Sequence, residues 1–211
     1  MPGGRVRSLG SRAIRAAGLR GLFKMMQLDE RQAVIAEART WIGTTFHDRA
    51  RVKGAGVDCL QLLIASYHAA GLLPDLRPDY PVRFFLHGHD EIYLGGIADY
   101  AVEIATPHPA DFALFKFGRC FSHAALVIDW PVIVHAFSGQ SVQEDDASRN
   151  FRLTTIGEVE NGRGQPRPVK FFTLKRWAIE AARCDGYSPA SQQAKTAPIF
   201  YGSYGCKKVA G

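Results

Sequence analysis

The sequence is short of several things that would have settled its class early. Its four cysteines, Cys59, Cys120, Cys184 and Cys206, form no CxxC pair, so neither a disulfide framework nor a zinc knuckle is expected. No apolar run reaches the roughly 18 residues that a membrane span needs, which excludes stable membrane insertion by a helix. The start has no apolar core of the kind that drives secretion. There are no internal repeats, so a solenoid or propeller is not indicated. No acid occurs in the first 24 residues, where Arg5, Arg7, Arg12, Arg15, Arg20 and Lys24 fall. The net charge of +6 is therefore concentrated in a basic N-terminal arm, and the remainder is close to neutral. That distribution argues against a nucleic-acid-binding domain. The arm has some features of an organellar transit peptide, but a flexible basic extension, or a start at Met25 or Met26, fits it better.

What is present is one domain's worth of chain. At 211 residues and 46% hydrophobic composition, a sizeable core plus extensions is expected. Residues 1–27 read as an arm that orders on a partner, because Gly10, Gly18 and Gly21 interrupt a weak apolar face. Asp29 is placed to start a helix whose stripe is Ala33, Val34, Ala36, Ala38, Trp41 and Ile42, with Gly43 as its stop. Residues 44–56 form a loop that is either a solvated connection or the rim of a groove. Residues 74–97 form a Pro-rich, aromatic excursion that packs over something, with a short helix near 89–100. Strands are expected at Phe112–Phe117, Ser122–Asp129 and Val132–Phe137 as a meander, with another strand at Val169–Leu174. A further short strand is expected at 151–156 in an otherwise turn-rich stretch, and a short helix at Trp177–Ala182. Residues 179–211 read as an extended tail with an aromatic patch at Ile199–Tyr204.

The chemistry gathers at Gly54-Ala55-Gly56-Val57-Asp58-Cys59. A small-residue loop delivers one cysteine to the start of the apolar helix Leu60–His68. Unpaired N–H groups and the helix dipole favour a thiolate there, so Cys59 is a candidate nucleophile with a lowered pKa. A nucleophile needs a base and a group to orient that base. His123 and His135 lie in adjacent expected strands, equidistant from Asp129, and so nearly opposite each other on one face. A lone buried cysteine or a lone strand histidine is commonly structural. It is the combination, in this order, that points to catalysis.

With these residues in place the sequence resembles the NlpC/P60 cysteine peptidases, and in particular the branch found in tails of long-tailed phages and in gene transfer agents. The resemblance spans roughly residues 29–175. It rests on Trp41-Ile42-Gly43-Thr44, the Gly54–Leu60 stretch, Pro109-Ala110-Asp111-Phe112-Ala113-Leu114, Ser122-His123-Ala124-Ala125-Leu126 and Val134-His135-Ala136. It implies a papain-like α+β fold over residues 28–178, with Cys59 as nucleophile, His123 as base and His135 as orienting residue. Asp58, Phe46, Gln61 and Ser122 would border the oxyanion hole and substrate groove. The implied activity is hydrolysis of amide bonds in peptidoglycan stem peptides, with no metal or cofactor. The implied setting is a virion tail tip acting in the host periplasm, with both arms contacting tail-tip or baseplate proteins. The alternative is a structural tail-tip subunit that keeps the fold with little or no catalysis. Three positions depart from the family. Leu60-Gln61 replace small residues, so Gln61 is expected to crowd the groove. Ala110 replaces a glycine. Phe46 replaces a tyrosine, which removes a hydroxyl.

Overall fold

The computed structural model describes residues 10–82, 91–156 and 165–179. Helix α1 (Gly10–Arg39) is continuous over 30 residues, rather than beginning at Asp29. It runs through residues 27 and 28, where the arm was expected to meet the domain. The physical reason is that the C-terminal part is docked and nucleated, and adding a residue to an existing helix is far easier than starting one. Gly18 and Gly21 stand where an added Cβ would meet nothing, so they carry only a propensity penalty of about 1 kcal/mol each. Val34, Ala38 and Trp41 face the core at i, i+4 and i+7, whereas Ala33, Ala36 and Ile42 are exposed. Arg31 anchors this end, bonding Oδ1 of the buried Asp111 at 2.9 Å and lying 4.0 Å over the Trp177 ring. Glu30 accepts the Trp177 indole N–H at 2.7 Å. Towards the N-terminus Leu22, Phe23, Met25, Met26 and Leu28 are exposed. Gly43, at φ +88°, closes the turn after the helix.

The loop that follows folds into a two-stranded ribbon of β1 (Arg51–Val52) and β2 (Gly56–Val57). Gly54 supplies the positive φ of its turn, +78°. At Gly56 a Cβ would stand 2.9 Å from the His47 Cβ, so glycine is required for the close approach. Helix α2 (Cys59–Ala69) then buries every residue from Cys59 to Tyr67. This agrees with its apolar character on nearly all faces.

Helix α3 (Ile92–Ile97) is the short helix expected near 89–100. The main sheet has six antiparallel strands in the order β3-β10-β4-β5-β6-β7. They are β3 (Ala101–Ile104), β4 (Phe112–Phe117), β5 (Cys120–Asp129), β6 (Val132–His135), β7 (Gln143–Asp146) and β10 (Val169–Leu174). The expected three-strand meander is therefore present as β4 to β6, continued by β7, with β10 returning between β3 and β4. Strands β3 and β7 were not anticipated. One face, built on Leu114, Ala124, Leu126 and Val134, packs against α2 and α1. The other, built on Ala113, Phe115, Ala125, Val127 and Ile133, is covered by Ala147 and Leu153. The segment read as a strand at 151–156 is instead a helical turn α4 (Phe151–Thr154), capped by Asn150, before β8 (Thr155–Ile156) pairs with β9 (Gln165–Pro166). The Asn150 side chain takes the Arg152 N–H at 2.9 Å, which favours the turn over extension. Ala110 adopts φ +64°, in the left-handed region that favours glycine. The Tyr67 hydroxyl bonds its carbonyl at 2.5 Å. The expected tail, with Cys184, Cys206 and the aromatic patch, and the residues His87 and His89 lie outside the described residues.

Candidate active site

Cys59 is the first residue of α2, and Asp58 is its N-cap. The Asp58 Oδ1 accepts the Gln61 N–H at 2.8 Å, and Oδ2 accepts the Arg49 N–H at 2.8 Å and the Tyr80 hydroxyl at 2.6 Å. The carboxylate thus ties the helix start to the preceding loop and to the aromatic excursion. Asp58 is a cap before it is anything else. Its pKa is raised, because burial outweighs these hydrogen bonds.

The Cys59 thiol lies against β5. Its Sγ is 3.9 Å from the Ser122 carbonyl oxygen, and the Ala124 and Leu60 N–H groups face it. His123 stands between Ser122 and Ala124 on that strand. Cys59, Ser122 and His123 line one cavity of about 90 Å³, together with Phe46, Asp48, Arg49, Asp58, Tyr80, Tyr93, Phe117 and Phe137. The loop at 44–56 forms part of the cavity wall, and Phe46, Asp58 and Ser122 line that cavity. Gln61 does not. It points away from the cavity, donates to the Tyr80 hydroxyl at 3.2 Å and is buried. The expected crowding of the groove is absent because residue 61 is two positions along a helix, turned towards the second row behind Asp58.

His123 Nε2 and His135 Nδ1 are 2.9 Å apart. The pair meets on one face, as expected, but not as direct cross-strand partners. Leu126 opposes Val134 and Val127 opposes Ile133, with a bulge before Asp129, so the register is shifted by two and the histidines are diagonal neighbours. Phe115, Phe117 and Phe137 enclose the His123 ring, with centroids 6.0, 5.7 and 4.9 Å away. His135 Nε2 makes no hydrogen bond of ordinary length, and the Asp145 Oδ2 lies 3.6 Å from it.

The electrostatics differ from the expectation for a helix-start thiol. Burial, and then the Asp58 carboxylate, push the Cys59 thiol up to about 12, against the Ala124 and Leu60 N–H groups and the Tyr93 hydroxyl. Burial, then His135 and Arg167, hold His123 well below the usual histidine value. Burial lowers His135 to about 4, opposed by Asp145. The resting pair is a neutral thiol beside a neutral imidazole, because desolvation of a buried charge outweighs the helix dipole here.

Three site residues escaped the sequence reading. Tyr93 on α3 brings its hydroxyl to 3.8 Å from Sγ, and burial first, then Cys59, raises its pKa, so it keeps its proton. Tyr80 packs edge-on to Tyr93 and bonds Asp58. Asp145 sits behind His135. The two tyrosines belong to the aromatic excursion expected to cover something, and they lie over Asp58 and Cys59. Among the described residues no cluster of His, Cys, Asp and Glu could hold a metal ion, and no helix is long and apolar enough to cross a membrane.

The architecture is thus a mixed one, an antiparallel sheet with a buried helix that starts at a cysteine. Among solved structures the chain is similar to the NlpC/p60 domain of the peptidoglycan hydrolase SagA. The identity is 17% and the TM-score 0.39, over 68% of this chain and 97% of that one. It is also similar to NlpC1 from Trichomonas vaginalis, at 16% identity and TM-score 0.44, over 68% of this chain and 43% of that one. No family model matches the chain, and no curated protein matches it in sequence.

Proposed function

We propose that this chain is a cysteine peptidase of the NlpC/P60 type that hydrolyses amide bonds in peptidoglycan stem peptides. The observation that carries the proposal is the shared cavity of Cys59 and His123, with His123 bonded to His135 at 2.9 Å. With Nε2 so engaged, His123 has Nδ1 left for the thiol. As Sγ attacks the peptide carbonyl carbon, its proton passes to His123 Nδ1 and the carbonyl electron pair moves onto oxygen. In this reading the Cys59 backbone N–H and the Tyr93 hydroxyl, 3.8 Å from Sγ, serve as donors to the developing oxyanion. Collapse expels the amine, which takes the proton from His123 and leaves a thioester. Water then attacks the thioester, His123 receives its proton, and the carboxylate product and the thiol are restored.

The motif set that resembles the phage-tail and gene-transfer-agent branch supports a narrower reading of the setting. In it the protein is part of a virion tail tip, opens the wall in the host periplasm during DNA delivery, and contacts tail-tip or baseplate neighbours through residues 1–27 and 179–211. A second reading, a structural tail-tip subunit with the same fold and little catalysis, is favoured by one observation. The thiol is buried and protonated in a slot of about 90 Å³, narrow beside typical ligand pockets of about 300–1,000 Å³.

Incubation of the protein with defined stem peptides, beside Cys59→Ala, decides between the two. Product from the wild type alone supports the peptidase. No product from either protein, with Cys59→Ala particles still infectious, overturns it in favour of the structural subunit.

A further inference from the structure

We propose that Asp145 is a positioning residue that decides whether Nδ1 of His123 is free to take the Cys59 proton. This deepens the peptidase reading and rests on it for the activity arm of the test.

The carboxylate is built into the sheet. Asp145 lies on β7 opposite Ile133, one strand out from the histidine pair. The Asn150 amide holds its Oδ2 at 2.5 Å. That same oxygen is 3.6 Å from Nε2 of His135, a residue with 0% exposure. Among the described residues Nε2 has no closer polar partner.

A neutral histidine pair joined by one Nε2···Nδ1 contact has two arrangements. In the first, His135 carries its proton on Nδ1 and donates to His123 Nε2. His123 must then carry its own proton on Nδ1, the nitrogen that should accept from the thiol, and His135 turns a lone pair towards the Asp145 carboxylate. In the second, His135 carries its proton on Nε2, facing Asp145. Its Nδ1 then accepts from His123 Nε2–H, and His123 Nδ1 is left with a free lone pair. The carboxylate repels the lone pair of the first arrangement and attracts the N–H of the second. In a buried site such a difference is little screened. Asp145 therefore selects the one arrangement in which His123 is a base.

The other charged groups around the pair oppose it. The Arg167 guanidinium lies 3.7 Å over the Phe117 ring and that of Arg152 lies 5.4 Å over the Phe137 ring, and both rings pack on His123. Cys59 and Tyr93 face the pair from the cavity as neutral groups, and Asp58 lies beyond Cys59. When His123 becomes an imidazolium, Asp145 offsets the two guanidinium charges through the oriented His135 dipole. No proton passes to Asp145.

The test is nitrogen-15 histidine NMR on the full chain at pH 7, with long-range proton correlations that report the tautomer. The wild type is expected to show the Nε2–H form at both His123 and His135. A Nδ1–H form at either overturns the proposal, whatever any variant does. In Asp145→Asn, whose amide can turn an N–H towards His135, both rings are expected to shift towards the Nδ1–H form. Hydrolysis of a stem peptide should fall about tenfold or more in kcat with little change in KM, and Asp145→Glu should restore part of it. Unchanged tautomers with unchanged kcat in Asp145→Asn sink the proposal. The expected tautomer shift in a protein whose wild type cleaves no peptide sinks the peptidase reading and leaves the role of Asp145 standing.

Discussion

The Tyr93 hydroxyl stands 3.8 Å from the Cys59 sulfur. It is brought there by the short helix α3, and it lines the same cavity as Cys59 and Phe46. Its proton stays in place because burial disfavours the phenolate. Replacing Tyr93 by Phe should raise the thiol pKa further and slow alkylation of Cys59 by iodoacetamide about tenfold at pH 8. That corresponds to loss of one hydrogen bond to a charged sulfur, about 1.5 kcal/mol. Alkylation rates followed by mass spectrometry check this, and an unchanged rate removes Tyr93 from the site.

Asp58 acts on Cys59 in the opposite sense. Its carboxylate is the second cause, after burial, of the raised thiol pKa. Asp58→Asn keeps an oxygen for the Gln61 N–H while removing the charge. The alkylation pH profile of Cys59 should move to lower pH. The same change turns an amide towards donors and should cost about 1–3 kcal/mol of stability, read by denaturant melts.

The two histidines also make the fold sensitive to acid. Both have folded-state pKa values below the usual 6.5, with His135 near 4. An unfolded chain takes up protons below pH 6.5 that the folded chain refuses. Stability is therefore complete above that pH and is lost as pH falls from about 6.5 towards 4. The slope approaches about 1.4 kcal/mol per pH unit for each histidine. In a His123→Gln, His135→Gln double variant the stability should change less between pH 7 and 5 than in the wild type. An equal slope in both proteins would contradict the assignment.

Away from the cavity, Arg31 and Asp111 are the point at which α1 is fastened to the sheet. Asp111 has a fully buried side chain and Arg31 is 14% exposed, with bonds also to the Pro109 carbonyl and the Thr173 hydroxyl. Arg31→Met removes the partner of a buried carboxylate. It should destabilise the protein by about 3 kcal/mol, whereas Arg39→Met, at the exposed pair with Glu144, should change it by less than about 1 kcal/mol. Thermal melts of the two variants separate these outcomes.

The parts of this fold that could be read in advance are those fixed by local chemistry. The α2 run, the strands Phe112–Phe117 and Val169–Leu174 and the histidine pair each follow from periodicity or spacing. The rest depends on partners distant in sequence. Strand β7 is Gln143–Asp146, wholly polar, and becomes a strand only because β6 offers an edge. Tyr93 and Tyr80 reach Cys59 by a route that no spacing rule describes. The 2.9 Å histidine contact was legible, but its diagonal register depends on a bulge between Val127 and Asp129. The helix-start argument for Cys59 counts the dipole and leaves out burial, which pushes the thiol pKa up.

Strand β10 pairs with β3 along one edge and with β4 along the other. It is among the last described segments of the chain, yet it lies inside the sheet. Until Val169–Leu174 emerges from the ribosome, Ala101–Ile104 has no neighbour and β4 has an open edge. Cys59, more than a hundred residues earlier in the chain, leaves the ribosome well before the strand that completes the sheet.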